Sequence, residues 1–174
     1  MALRQILTEP NKILREKSLK IENVDKDIQT LMDDMLETMY AANGIGLAAI
    51  QIGIPKRIIV LDISKDPEKK EPMYFVNPEK IYTSKDQATY EEGCLSVPGQ
   101  FAEIDRPDKC HIKYLDYNGD SKELKAEGLL ATCIQHEMDH LEGILFIDYL
   151  SKLKRSMITK KLSKQKRELE RIVV

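Results

Sequence analysis

The strongest constraint on this chain is a nine-residue stretch, Gln135-His136-Glu137-Met138-Asp139-His140-Leu141-Glu142-Gly143. Residues four apart on an α-helix stack on one face, so His136 and His140 can reach the same divalent cation, with Glu137 beside them to act on water there. Helical spacing runs back to Gly128, placing Leu129, Thr132, Cys133, His136 and His140 on a single stripe. Only three histidines occur in the chain, and two of them are here. The fold must therefore surround one motif-bearing helix.

The flanking sequence supplies the surroundings. Asp25 to Tyr40 carries Ile28, Leu31, Met32, Met35, Leu36 and Met39 at the three-and-four spacing of an amphipathic helix, with Asn43-Gly44 expected to end it in the left-handed region. Arg57 to Asp62 is a β-branched run that reads as a buried strand, and Met73–Asn77 and Lys80–Thr83 read as two more. Lys109–Asp116 and Ser121–Ala126 form an expected hairpin, closed by Tyr117-Asn118-Gly119-Asp120 with positive φ at Asn-Gly. From about Ser151, Leu153, Met157, Ile158, Leu162 and Leu169 recur at helical intervals. With no internal repeat and no linker, the expectation is a single catalytic domain over residues 1–174, α+β, with antiparallel sheets around the central helix and a basic C-terminal helix over 151–174.

Composition narrows the classes. Hydrophobic residues at 42% and charged residues at 32% argue against a disordered or fibrous chain. Neither a signal-peptide run nor a membrane-spanning run is visible, which predicts a cytoplasmic protein. Three cysteines at irregular spacing predict reduced thiols. Charge is uneven: residues 151–174 hold nine Lys and Arg against two acids, while the remainder holds 18 basic and 27 acidic residues.

A catalytic metal usually has three protein ligands and one open position, so the helix pair needs a third donor. No histidine lies downstream of His140, and the acids there show no recognisable ligand context. Upstream, Glu91-Glu92-Gly93-Cys94-Leu95-Ser96-Val97-Pro98 offers a thiolate between turn-forming residues, in an expected constrained loop rather than a core strand. A further glycine-rich stretch, Gly44-Ile45-Gly46-Leu47-Ala48-Ala49-Ile50-Gln51, matches the G-x-G-x-x-A form of a dinucleotide loop. It has the wrong context, because a helix precedes it and a strand follows. Its glycines suit close backbone approach to a ligand, and Gln51 adds an amide donor.

Taken in order, Gly44-Ile45-Gly46-Leu47-Ala48-Ala49-x-Gln51, Glu92-Gly93-Cys94-Leu95-Ser96 and Gln135-His136-Glu137-x-Asp139-His140-Leu141-x-Gly143 resemble the three signature motifs of the peptide deformylase family. The likeness is essentially full length and is nearest the type found in Gram-negative bacteria. It implies hydrolysis of the N-formyl group from the formylmethionine of new proteins, with Cys94, His136 and His140 as ligands of one Fe(II) per chain and Zn, Ni or Co as substitutes. One thiolate and two neutral imidazoles would leave the site at net charge +1, enough to lower the pKa of water in the fourth position. Glu137 would be the proton carrier, and the Gln51 amide and the Leu95 backbone N–H the oxyanion donors.

The resemblance also implies a methionine pocket, for which Ile45, Leu129, Thr132 and Cys133 are candidates, and an extended peptide along Gly44–Gly46 and Glu92-Gly93. The basic tail resembles a helix that docks on the ribosome near the exit tunnel, and a monomer without membrane attachment is expected. Where many relatives carry an arginine after Gly99-Gln100, this chain has Phe101. Three rival readings make distinct demands. A zinc endopeptidase needs a downstream ligand, a silent ribosome-binding protein needs a broken ligand or base, and a cysteine nucleophile leaves one helix histidine unexplained.

Overall fold

The computed structural model describes residues 1–173. Helix α1 spans Lys26–Ala41, and its N-cap, Asp25, accepts a hydrogen bond from the Ile28 backbone N–H at 2.9 Å. The chain leaves α1 through Asn43, whose φ of 56° is left-handed. Gly44 does not share that conformation. It is needed instead for close approach, because a Cβ there would meet Leu95 Cδ1 at 2.7 Å.

Seven strands follow: β1 Gly46–Ala48, β2 Ile58–Leu61, β3 Met73–Thr83, β4 Gln87–Cys94, β5 Val97–Pro107, β6 Lys109–Leu115 and β7 Ser121–Glu127. A five-stranded sheet has the order β1-β2-β3-β6-β7, with every pairing antiparallel, and β4 and β5 form a separate two-stranded ribbon. Strand β2 is buried on both faces. Ile58 and Val60 pack with Met32, Met35 and Met39 of α1, and Ile59 and Leu61 pack with Ile134 and Met138 of helix α2, Gly128–His140. The β-branched run thus holds two helices apart at a fixed distance.

Three expectations are corrected. The two strands expected on either side of Pro78 are one strand, β3, continued through register shifts between Val76 and Glu79. Asn77 adopts φ 50° at that bulge, and its side-chain amide exchanges hydrogen bonds of 2.9 and 2.7 Å with the Ile21 backbone. In the β6–β7 turn only Gly119 takes positive φ, at 85°, while Asn118 does not. The Gly44–Gly53 stretch is not all loop, for it contains β1 and a 3-10 turn over Ala49–Ile52.

Ten consecutive residues of α2, Ala131 through His140, are buried. A third apolar cluster joins Val97 and Ile104 of β5 to Phe146, Ile147 and Leu162, the last from helix α3, Lys152–Ile172. Only Leu162 of α3 is buried and Ile158 packs partly, whereas Leu153, Met157 and Leu169 are exposed. The apolar face expected there is therefore narrower than its spacing implied. Val174, the end of the expected tail, lies outside the described residues.

Candidate active site

Cys94 is the last residue of β4 and pairs with Val97 across the turn formed by Leu95 and Ser96. It therefore stands at a hairpin tip, half-buried, so the constrained loop expected is the tight turn that joins two strands. The hairpin tip meets α2 so that Cys94 Sγ lies 3.4 Å from His140 Nε2. Donor atoms of Cys94, His136 and His140 all fall within 4.8 Å of one another, as a shared cation requires.

The orientation of His136 is set from behind. Its Nδ1 lies 2.9 Å from Glu92 Oε2, and Phe146 stacks on its ring with centroids 6.2 Å apart. A metal-binding histidine whose far nitrogen faces a carboxylate has both its tautomer and its ring plane determined. Glu92 is in turn held by Arg106, whose Nε and Nη2 donate to its two oxygens at 2.5 and 3.1 Å, while Nη1 donates to Asp139 at 2.8 Å. Tyr149 completes the network by donating to Asp139 at 2.6 Å and carrying the guanidinium over its ring at 4.9 Å. Burial alone would raise the Glu92 carboxyl, yet hydrogen bonds from His136 and Arg106 bring it below the ordinary value.

Glu137 shows the opposite balance. It is buried with no cationic hydrogen-bond partner, and burial pushes its carboxyl up to about 7. Its Oε2 has no protein hydrogen-bond partner among the described residues. The carboxylate sits against Gly46, where a Cβ would come within 3 Å of both Glu137 Oε1 and Leu61 Cδ2. Glycine is required at this position by space, since any side chain would displace the acid.

The protonation preferences of the histidines differ. Burial works against a charged His136, but Cys94 and Glu92 draw it well above the usual range, whereas burial and the neighbouring His136 hold His140 well below. The sulfur and the acids around His136 thus favour positive charge at this point, which a bound cation would supply with both imidazoles neutral and donating. A sulfur, two imidazoles and an orphaned carboxylate oxygen fit a thiophilic divalent cation.

Gln51 lies in the 3-10 turn after β1. Its Oε1 accepts from the Ala48 N–H at 2.8 Å, and its Nε2 donates to Ser96 Oγ at 3.0 Å and points to Cys94 Sγ at 3.6 Å. The N-terminal segment ties both loops down, with Leu7 N–H donating to Gln51 O at 2.7 Å and Glu9 N–H to Ser96 O at 2.8 Å.

A cavity of about 470 Å³ opens onto this constellation. Every residue expected around substrate lines it: Gly44, Ile45, Gly46, Gln51, Glu92, Gly93, Leu95, Leu129, Thr132 and Cys133, together with Cys94, His136 and Glu137. His140 stands behind them, fully buried. Within the sheets, β1 pairs only with β2 and β4 only with β5, leaving a free backbone edge at Gly46 and another at Glu92-Gly93. Sequence reading missed the roles of Ser96, Arg106, Asp139 and Tyr149. Arg106 gives no local signal because its partners lie 14 and 33 residues away.

A buried helix offering two imidazoles and an acid to a substrate-sized cavity, closed by a thiol from a hairpin tip, defines a metal-dependent hydrolase. Comparison with known proteins narrows the class. Residues 3–156 match the family model for polypeptide deformylase. The peptide deformylase of Pelagibacter ubique is 70% identical over 168 residues, covering 95% of this chain and 96% of the relative. That of Phenylobacterium zucineum is 58% identical, covering 94% and 97%. Among solved structures, peptide deformylase from Ehrlichia chaffeensis in complex with actinonin superposes with TM-score 0.92 at 44% identity, covering 96% of this chain and 99% of that one. The Legionella pneumophila enzyme gives 0.89 at 46% identity, covering 98% and 99%. The chain belongs to the polypeptide deformylase family. Its activity is metal-dependent hydrolysis of the N-formyl group from N-terminal formylmethionine of newly synthesised proteins, releasing formate.

Proposed function

We propose that residues 1–174 act as one catalytic domain in which Cys94, His136 and His140 hold a single Fe(II), replaceable by Zn, Ni or Co. The observation that carries the reading is the convergence of three donor atoms within 4.8 Å at the floor of the cavity, with Glu137 alongside. When bound, the cation supplies Lewis-acid polarisation and lowers the pKa of water in its open position. Glu137 accepts the proton of the attacking water and delivers it to the departing nitrogen, so that the C–N bond breaks and formate leaves with a free methionine amine. The Gln51 amide and the Leu95 backbone N–H face the carbonyl oxygen as charge develops on it, each worth about 3 kcal/mol in comparable sites. Glu92 and Arg106 act through His136 by fixing its ring.

The methionine side chain sits between Ile45, Leu129, Thr132 and Cys133, and the peptide extends along the free edges at Gly44–Gly46 and Glu92-Gly93. Backbone pairing of this kind tolerates many sequences after methionine, as an enzyme of most new chains needs. Anaerobic purification, metal analysis and a formate-release assay on formyl-Met-Ala-Ser test the assignment. One iron per chain is expected, with activity lost in air as metal and thiolate oxidise. Full activity retained in air with iron bound would contradict the Fe(II) reading.

No described helix is long and apolar enough to cross a membrane. We further infer a cytoplasmic monomer whose helix α3 docks on ribosomal RNA near the exit tunnel. The support is a solvent-exposed helix anchored mainly at Leu162, with basic residues over its surface. Phosphate contacts are salt-dependent. Substituting Lys160, Lys161, Lys164 and Lys166 with glutamate should abolish co-sedimentation with ribosomes in low salt, while formate release from a free tripeptide continues. Unchanged co-sedimentation would remove the docking role.

A further inference from the structure

Most exposed large hydrophobic residues are scattered over this protein, but three of them, Ile45, Leu129 and Phe101, line the active-site cavity. Phe101 is the most exposed of the three at 66%. Its ring has a fixed seat nonetheless. A Cβ on Gly93 would come within 2.5 Å of Phe101 Cε1 and 2.7 Å of Cδ1, so the ring packs closely against the Gly93 backbone across the β4–β5 ribbon. Here glycine at 93 serves to bed an aromatic ring, one residue before Cys94. Away from Gly93 the side chain is exposed.

The charge around the ring is one-sided. Exposure alternates along β5, so Phe101 shares the outer face of the strand with Glu103 and Asp105, and Glu91 stands exposed opposite Glu103. No lysine or arginine lines the cavity. A peptide side chain leaving the site past Gly93 therefore meets an apolar platform with Glu91 in the cavity wall and Glu103 and Asp105 further along the outer face, a surface that attracts apolar or aromatic groups and repels acids.

We infer that Phe101 is a specificity-determining residue, forming a subsite for the side chain directly after methionine that favours apolar and aromatic residues and disfavours Asp and Glu. The inference rests on the deformylase activity and adds a substrate preference to it. An aromatic contact of this kind translates to roughly two- to tenfold in kcat/KM.

Formate release is measured on formyl-Met-Phe-Ser, formyl-Met-Ala-Ser and formyl-Met-Asp-Ser with the metal-loaded enzyme, Phe101→Ser, Phe101→Arg and, as a remote exposed aromatic, Tyr82→Ala. The wild type should rank Phe over Ala over Asp, chiefly through KM. Phe101→Ser should compress the Phe-to-Asp ratio toward one, Phe101→Arg should invert it, and Tyr82→Ala should leave it as in the wild type. Ratios between substrates cancel any general loss of folded enzyme. Equal wild-type rates on the three peptides, or a ratio unmoved by both Phe101 variants, would overturn the subsite. A preference that appears only when Phe is moved to the third residue, in formyl-Met-Ala-Phe, would overturn its position. Absence of formate from every peptide would instead defeat the deformylase activity itself, and the subsite with it.

Discussion

Formate release from formyl-Met-Ala-Ser should fall by about 10²- to 10⁴-fold when Glu137 is replaced by alanine. Metal content should stay that of the wild type. Glu137 sits one residue after His136, yet its carboxylate points into the cavity, pressed against Gly46 and without a protein partner for Oε2. Such a group is free to take a proton from water and return it, unlike Glu92, whose oxygens are committed to Arg106 and His136. Glutamine at 137 preserves volume but cannot accept the proton, so it should lose rate in the same range. If the alanine variant turned over at the wild-type rate with its metal intact, the proton carrier would have to be another group.

The second large effect is on stability. Arg106→Met should destabilise the fold by about 3–5 kcal/mol, because it leaves two buried carboxylates, Glu92 and Asp139, without their shared cation. For a chain of this length that lowers Tm by on the order of 10 °C. Lysine at 106 restores the charge but cannot fork to Glu92 and reach Asp139 together, so it should recover only part of the loss. Thermal unfolding followed in metal-stripped and metal-loaded protein checks this. The deficit should persist without metal, since the three-way pairing is made by protein groups alone. An unchanged Tm in both forms would show that the network contributes no net stability.

The network also carries a consequence for metal retention. Glu92 faces His136 from the side away from the cavity, so its loosening in the Arg106 variants frees the ring to rotate.

Much of the active site was legible from residue order alone. His136, Glu137 and His140 need only helical periodicity to be placed together, because spacing of four on a helix is a local geometric fact. The buried character of β2 followed from four successive apolar residues, since only a strand covered on both faces uses them all. The amphipathic run of α1 was visible for the same local reason. The β4–β5 ribbon was not. Its inward positions, among them Ala88, Tyr90, Ala102 and Ile104, are mostly small or only half-buried between polar residues, so the alternation is too faint to mark the strands. Pro78 and Asn77 made β3 look like two strands, because a bulge that keeps a strand continuous reads in sequence as a break.

What the sequence determined by itself was chemical inventory and local geometry: a helix bearing two imidazoles and an acid, a thiol between turn residues, and glycines where backbone must come close. The tertiary fold alone decided that the thiol at the tip of a polar hairpin meets that helix, that Arg106 and Tyr149 brace the ring of His136, and that Phe101 lies on Gly93. The reason is physical. Periodicity encodes neighbours within one element, whereas a contact between elements depends on how the whole core packs, and no short stretch of sequence contains that information.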